Sequence, residues 1–185
     1  TNTIWVPETD DMPNVMSYRL TAGKDGPYGE TDGRTYMYYT GEKQYPFGYG
    51  LSYSDFVIDT MTVDKDTATG DDTIHVTGVV HNNSDVAGSE VVQLYVSTPD
   101  ADMSLENGYP TKRLVGFDKV WVDANGTADF SFDIKVEDLA FWNEDDGAWH
   151  VEDGTYRFEL SYNSDDVAVS KDVAVTGDFT PVPNV

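Results

Sequence analysis

The chain has 185 residues with 34 acidic and 11 basic side chains, a net charge of −23, and no cysteine. This length predicts one domain with an appendage, and the charge argues against nucleic acids and anionic membranes as partners. The lack of cysteine excludes disulfides and thiolate metal sites, and no apolar run is long enough to span a bilayer. The chain starts at Thr1 without a leader-like segment, so we expect a piece cut from a longer protein of undetermined compartment.

The acidity has three interpretations, namely solubility, adaptation to high salt and calcium binding. Four aspartates could supply oxygen ligands for calcium: Asp64, Asp66, Asp71 and Asp72. Their segment, VDKDTATGDD, lacks the glycine and the terminal glutamate of an EF-hand loop. We therefore interpret it as a hairpin turn, and we expect neither a metal nor a cofactor.

Residues 1–44 have the composition of an ordered loop, rich in Gly, Pro, Asp and Thr, with one short strand predicted in IWVP. Hydrophobic side chains recur along this loop: Met12, Met16, Tyr18, Tyr28, Tyr36, Tyr38 and Tyr39. A loop this long usually packs on a neighbour, and its aromatic content argues against a disordered leader. We expect that neighbour to lie outside the chain.

The segment YPFGYGLSYSDF, residues 45–56, is interpreted as a packed domain junction and is called the junction below. Gly48 and Gly50 permit backbone angles that are closed to other residues. Aromatic rings of this number require burial, so we expect four of them to be dry. The residues assigned to the junction are Tyr45, Pro46, Phe47, Gly48, Gly50, Leu51 and Tyr53.

From Phe56 onward apolar and polar residues alternate, which is the pattern of strands with one dry and one wet face. The alternation is clearest in residues 74–81, 92–96, 128–134 and 156–162; in the second of these, Gln93 and Tyr95 lie opposite the apolar face. Two less regular strands are predicted in KRLVGFDKVWV and VAVSKDVAVTG, and no helix longer than VEDLAFW is expected. About seven short strands separated by turn signals predict an all-β fold, an antiparallel two-sheet immunoglobulin/fibronectin type III-like sandwich.

Several motifs occur in the order found in a known family. Residues 33–56 read GRTYMYY and then YPFGYGLSYSDF, similar to the junction of family 3 glycoside hydrolases, the β-glucosidase and β-xylosidase family. AGSEVVQLYVSTP at 87–99, PTKRLVGF at 110–117, and VEDL followed by GTY resemble that family's C-terminal fibronectin type III-like domain. Departures at Met37, at Asn82-Asn83-Ser84 and around Ser161-Tyr162 leave the subfamily and its sugar open.

The resemblance implies a segment that lies outside an active site. Retaining glycosidases use two carboxylates about 5 Å apart, and in this family they belong to a barrel domain and an α/β sandwich domain. The resemblance therefore assigns residues 1–55 to the loop-rich tail and junction of the α/β sandwich domain. It assigns 56–178 to the fibronectin type III-like domain and 179–185 to a linker or terminus. The implied partners are the remaining catalytic domains and, through them, a β-glycoside substrate.

Two groups of acids are candidates for a carboxylate pair within the chain: Glu137 with Asp138, and the cluster Glu144, Asp145 and Asp146. Neighbouring residues of an extended chain point to opposite faces, and acids in so acidic a chain usually form a solvated surface. We therefore expect no catalytic residue among them. His75, His81 and His150 lack metal-ligand spacing, and we interpret them as surface histidines.

The loop that carries Arg34, Tyr36 and Tyr38 is the candidate substrate-proximal part of the chain. This prediction rests on the resemblance, which brings that loop nearest to the catalytic domains. Replacing Tyr36 by alanine in the complete enzyme tests it through the Michaelis constant and the turnover.

Other side chains have two interpretations each. An exposed tryptophan is either a sugar platform or a packing residue, and for Trp121, Trp142 and Trp149 we favour packing. Asn82 and Asn125 fit the glycosylation sequon.

Two functions are therefore considered. The first is a non-catalytic C-terminal segment of a retaining β-glycosidase that buttresses the catalytic domains and contributes to dimer contacts. The second is a stand-alone carbohydrate-binding or adhesion module. The loop at 1–44 and the junction favour the first, because a free module has no use for another domain's surface. The sugar, the compartment and the oligomeric state are left open.

Overall fold

The computed structural model describes residues 4–7, 14–24, 26–99, 110–143, 147–177 and 180. Met12, the cluster at 144–146 and residues 179 and 181–185 of the expected linker lie outside these ranges. Helical structure within them is limited to a single-turn helix, α1 (Thr35–Tyr38), and two 3₁₀ turns, Gly26–Tyr28 and Val136–Leu139. No helix in the described ranges is long and apolar enough to cross a membrane.

Strands make up about half of the described chain, as the alternating pattern predicts. In chain order they are β1 (Gly23–Lys24), β2 (Glu30–Thr31), β3 (Phe56–Val63), β4 (Thr67–Ala68), β5 (Thr73–Asn82), β6 (Gly88–Ser97), β7 (Arg113–Val122), β8 (Thr127–Lys135), β9 (Phe141–Asn143), β10 (Ala148–His150), β11 (Gly154–Ser161) and β12 (Val167–Val175). The two less regular strands are thus confirmed as β7 and β12.

Two sheets form the predicted sandwich. One has the strand order β4-β12-β11-β6-β7 and the other β3-β5-β8. All neighbouring strands are antiparallel except β12 and β4, which are parallel. The ribbons β1-β2 and β9-β10 lie apart from both sheets. An all-β antiparallel fold of the fibronectin type III-like class is therefore confirmed.

The core lies between the two sheets and contains the residues that alternate inward along the strands. Val92, Leu94, Phe158 and Leu160 from the larger sheet are fully buried, as are Ile74, Val76 and Val80 from the smaller one. Burying each such side chain contributes about 1.5–3 kcal/mol relative to leaving it exposed. The core thus follows directly from the apolar half of the sequence alternation.

The acidic segment between β3 and β5 does more than turn the chain. A hairpin is present, because β3 and β5 pair from Phe56↔Asn82 to Val63↔Val76. Between them the chain crosses to the other sheet, where β4 pairs with the end of β12. This crossing, absent from the sequence interpretation, ties the two sheets together at one edge.

The prediction that β6 has one wet face is wrong. Gln93 and Tyr95, on the face opposite the core, are 4% and 0% exposed, and Ser161 beside Gln93 on β11 is also buried. The cover comes from the chain's own N-terminal part, since α1 and the junction lie over this face. The expectation that residues 1–44 find their neighbour only outside the chain is therefore also wrong, because Tyr36 and Tyr39 are buried within it.

Candidate functional site

An aromatic cluster joins the N-terminal segment to the larger sheet. The Tyr36 ring, carried by α1, stacks on Phe47 of the junction with ring centroids 4.4 Å apart, and meets Tyr95 edge-on at 5.9 Å. The Tyr36 hydroxyl accepts a hydrogen bond of 2.9 Å from the backbone N–H of Leu114 on β7. The junction, β6 and β7 therefore all contact Tyr36.

Gln93 is the polar centre of this contact. Its side-chain amide donates to the carbonyls of Gly48, at 3.2 Å, and Tyr162, at 2.7 Å, and its oxygen accepts from the Tyr95 hydroxyl at 2.7 Å. A buried amide is tolerated only when its donors and acceptors are satisfied. Gln93 meets this condition by holding the junction against the sheet.

Further hydrogen bonds fix the loop after β11 to the same place. The backbone N–H of Ser164 donates to the carbonyl of Phe47 at 2.9 Å. Lys112 donates to the carbonyl of Ser164 at 2.8 Å and pairs with Glu159, also at 2.8 Å. The joint therefore combines stacking, backbone hydrogen bonds and a largely buried ion pair.

Of the two junction glycines, only Gly48 is required by the backbone. Gly48 has φ +81°, and a Cβ there would lie 2.1 Å from the Gln93 side-chain oxygen. Gly50 has no positive φ, and a Cβ there would meet nothing within 4 Å. The prediction for Gly48 agrees with this geometry, while Gly50 is not constrained within this chain.

Most of the junction rings are exposed, which contradicts the expectation that four would be dry. Phe47 is partly buried, but Tyr45 and Tyr49 are exposed, and Tyr53 is 104% and Leu51 90% exposed. The N-terminal segment presents further exposed apolar side chains, and the whole set is called the apolar rim: Trp5, Val15, Met16, Tyr18, Leu20, Tyr28, Tyr45, Tyr49, Leu51 and Tyr53. Within it, Trp5 is bridged to Tyr45, and the Tyr45 and Tyr49 rings lie 5.0 Å apart. Exposed apolar side chains concentrated in one part of a chain favour an interaction site.

The candidate substrate-proximal residues are largely occupied by contacts within the chain. Arg34 donates to the carbonyls of Asn14 and Ser17 at 2.8 and 2.7 Å, and so holds the N-terminal loop in place. Tyr36 is buried in the aromatic cluster, and Tyr38 is half-buried. The structure brings Tyr36 together with Phe47 and Tyr95. Arg34 directly precedes α1, and its side chain bonds to the N-terminal loop.

Burial raises the pKa of Tyr95 above its ordinary value of 10.0, and also raises the pKa of Tyr36 and Tyr162. The folded state prefers the protonated phenols. The contribution of these three tyrosines to the free energy of unfolding is therefore fully present below pH 10 and is lost as the pH rises through their raised pKa values. We expect the urea midpoint of the chain to fall steeply above pH 10. Tyr95→Phe should make that fall shallower, and an identical alkaline slope in the two proteins would contradict this account.

The described acidic candidates lie at the surface or in ion pairs. Glu137 contacts Lys135 at 3.2 Å, and Asp138 beside it is exposed. Asp72 pairs with Lys65 and accepts from Thr69, which lowers the pKa of Asp72 to about 2. Asp66 pairs with Lys171 at 2.6 Å. Within the described ranges no group of three acids or histidines could hold a metal ion.

Two of the three histidines lie on the outward surface of the smaller sheet, as predicted. His75 contacts Asp133 at 2.6 Å, across the pairing of β5 with β8, and His81 lies 3.3 Å from Asp59 on β3. Each histidine therefore faces a carboxylate on a neighbouring strand. These are surface pairs, and such pairs contribute little to stability.

All three tryptophans on the sandwich are exposed. Trp142 and Trp149 are cross-strand partners on β9 and β10, and their rings pack edge to face with centroids 5.8 Å apart. The indole N–H of Trp121 donates to Asp123 at 3.1 Å. The preference for packing over sugar binding stays a prediction for all three.

Only one of the two sequons is accessible. Asn82 is 2% exposed, and its amide nitrogen, which a glycan would occupy, donates to backbone carbonyls of Val86 and Asp123. Asn125 is exposed in the turn before β8, with φ +52°, and its amide nitrogen donates to the exposed Asp85 at 2.9 Å. Asparagine tolerates that conformation better than most residues. The structure therefore leaves Asn125 as the sequon that a modifying enzyme could reach.

Sequence reasoning missed Gln93, Asn82 and Lys112 as joining residues. Gln93 stands at a position where period-two patterning predicts a polar outward residue, and this pattern cannot reveal a second covering layer. Asn82 is in phase with the inward residues Val76 and Val80 of β5, where the same pattern predicts an apolar residue. The run Gln93-Leu94-Tyr95 carried a signal. Its two outward residues are an uncharged amide and an aromatic ring, and this combination favours a face that another segment covers. Lys112 carried no comparable signal.

Comparisons with known proteins agree with this architecture. A fibronectin type III-like domain matches residues 90–164. The exo-α-(1→6)-L-arabinopyranosidase of Bifidobacterium longum is 36% identical over 181 residues, covering 95% of this chain and 23% of that protein. A β-glucosidase of Kluyveromyces marxianus is 34% identical over 180 residues, covering 95% of this chain and 20% of that protein.

Solved structures show the same relationship. The family 3 β-glucosidase of Bifidobacterium adolescentis superposes with a TM-score of 0.66 at 40% identity, over 76% of this chain and 20% of that one. A β-glucosidase of Listeria innocua in complex with glucose gives 0.68 at 29% identity, over 91% of this chain and 23% of that one. The chain thus spans about a quarter or less of the proteins it resembles. With its fibronectin type III-like domain and similarity along 95% of its length, the chain belongs to the C-terminal region of the family 3 glycoside hydrolases.

Proposed function

We propose that this chain is the non-catalytic C-terminal segment of a retaining β-glycosidase of the β-glucosidase type, and that it buttresses the catalytic domains of that enzyme. The observation that carries the proposal is the apolar rim. Leu51 and Tyr53 are almost fully exposed, yet the segment that presents them is fixed to the sheet through Phe47 and Gly48. Exposed apolar side chains on a firmly held segment are suited to docking on a neighbouring domain.

The domain boundaries form part of this proposal. Residues 1–55 would be the last loops of an α/β sandwich domain, 56–178 the fibronectin type III-like domain, and 179–185 a linker or terminus. The start of β3 at Phe56 supports the first boundary. A second support is the β-bridge between Trp5 and Tyr45, which ties the start of the described chain to the junction.

The substrate of the complete enzyme is proposed only as a class. The relatives named above are a β-glucosidase and an α-L-arabinopyranosidase. These glycosides share an equatorial bond at the anomeric carbon, so a terminal sugar with such a bond is the substrate class that both names support. The choice of sugar would lie with residues of the catalytic domains.

The experiment compares the complete polypeptide containing this chain with the 185-residue chain alone. We expect the complete polypeptide to hydrolyse an aryl β-D-glucoside or an aryl α-L-arabinopyranoside, and the chain alone to hydrolyse neither. Backbone amides of residues 51–53 should exchange with solvent more slowly in the complete polypeptide. If they exchange equally fast in both, and the chain alone binds oligosaccharides, a stand-alone carbohydrate-binding module is the better assignment.

The loop with Arg34, Tyr36 and Tyr38 is proposed to lie beside the substrate pocket. Because the Tyr36 hydroxyl and the Arg34 guanidinium bond to backbone groups of this chain, these residues would act by fixing the position of the loop. We expect Tyr36→Ala in the complete enzyme to raise the Michaelis constant or lower the turnover by about tenfold, since small displacements of positioning elements have effects of this size. Tyr36→Phe, which keeps the stacked ring, serves as the control. Unchanged kinetics in Tyr36→Ala would remove the proposal.

A further inference from the structure

A groove of about 690 Å³ runs between the junction and the edge of the sandwich. Leu51 and Tyr49 of the junction form one wall, and Val91 and Phe117 on β6 and β7 contribute to the other. All four side chains are exposed, and they supply much of the apolar lining of the groove. Apolar lining left open in this way is the usual sign of a surface that receives another group.

Two carboxylates interrupt this lining. Glu90 is half-buried, and burial raises its pKa, opposed only by a hydrogen bond from the backbone N–H of Val91 at 3.1 Å. Asp166 lines the same groove beside Tyr162. In the described part of the chain neither carboxylate has a basic side chain within salt-bridge distance.

The groove supplies no compensating charge of its own. None of the described residues that line it is a lysine, an arginine or a histidine. A half-buried carboxylate without a cation is unfavourable, so the groove is better matched to an occupant that brings one. A second copy of the chain would add another net charge of −23 and is a poor match.

We propose that the groove receives a basic side chain, with its aliphatic stem on Leu51 and Phe117 and its cationic end at Glu90 and Asp166, presented by the catalytic domains. Lysine and arginine have this shape, an apolar stem with a charged head, and an aromatic wall adds a favourable contact for the cation. The inference rests on the proposed function, and it identifies where the chain and its catalytic domains are held together electrostatically.

The test uses the complete polypeptide with Glu90→Gln, Asp166→Asn and the double variant. Asp129→Asn, an exposed carboxylate on β8 of the other sheet, is the matched control. We expect the double variant to lower the first thermal midpoint by about 3 °C or more, with faster amide exchange in residues 89–93, and the control to leave both unchanged. A raised or unchanged midpoint in the double variant overturns the proposal, as does a midpoint that depends on protein concentration.

Slow amide exchange across residues 51–53 of the unmodified polypeptide reports on the proposed function separately. If exchange there is slow and the charge variants behave like the control, the groove proposal fails while the buttress role stands. Fast exchange there would overturn both, because nothing would then be seated against the junction.

Discussion

Replacing Gly48 by alanine is expected to weaken the attachment of the junction to the sheet by about 2–4 kcal/mol. A side chain at φ +81° costs roughly 1–2 kcal/mol for a residue other than glycine. In addition, the new Cβ would lie 2.1 Å from the Gln93 side-chain oxygen. The end of a glutamine side chain usually moves aside easily, but this one is buried and engaged.

Displacing the Gln93 amide breaks hydrogen bonds to Gly48, Tyr162 and Tyr95 together. Each contributes about 1 kcal/mol net, and a buried donor or acceptor left without a partner costs more. The strain at Gly48 and the loss of these bonds therefore act in the same direction. Because the sandwich core lies on the other side of β6, most of the loss should fall on the junction and α1.

Amide hydrogen exchange measures this effect where it arises. The N–H of Ser164, which donates to the Phe47 carbonyl, should exchange faster in Gly48→Ala by a factor of about 30 or more. Gly50→Ala is the control, since it makes the same chemical change two residues away in open space. Equal exchange in the two variants would show that the Gly48 geometry does not hold the junction.

The sequence was sufficient to predict the sandwich and its core. Strict alternation through Phe130, Phe132 and Ile134 identifies both a strand and its buried face, since period two leaves no other arrangement. The apolar–polar alternation is less regular in β7 and β12, because the pairing of each strand with its neighbour contains a register shift. Even so, their apolar ends and flanking turns were enough to place them.

The second layer on the larger sheet could not be predicted in the same way. Alternation assigns Gln93 and Tyr95 to an outward face, but only tertiary contact decides whether that face meets water or another segment. The same limit applies to Gly48 and Gly50, which look equivalent in the sequence although only one adopts a positive φ. The carboxylates of the groove are similarly hidden, because Glu90 and Asp166 are 76 positions apart in the chain and are brought together by the fold.

Replacing Asn82 by alanine is expected to destabilise the sandwich itself by about 2–4 kcal/mol. The Asn82 side chain donates to the carbonyls of Val86 and Asp123 at 2.8 and 3.2 Å and accepts from the N–H of Ser84 at 3.0 Å. It thereby joins the turn after β5 to the turn after β7. Alanine would remove all three bonds from a buried side chain, while the Val86 carbonyl would keep its bond from the Ser54 hydroxyl and the Asp123 carbonyl its bond from the Gly126 N–H. The expected cost is therefore that of the lost bonds, about 1 kcal/mol net each, together with the space left at Asn82.

Thermal unfolding checks this prediction, with Asn83→Ala as the control. The Asn83 side chain makes only a long contact of 3.4 Å to Asp55 at the surface, so its loss should change stability by less than about 0.5 kcal/mol. Asn82→Ala should lower the midpoint by roughly 5–12 °C, and Asn82→Asp should be no better, because a carboxylate cannot donate to the two carbonyls. If Asn82→Ala unfolds at the same temperature as Asn83→Ala, the two turns are held by their backbone hydrogen bonds alone, such as that from Asn82 N–H to the Gly126 carbonyl at 2.9 Å.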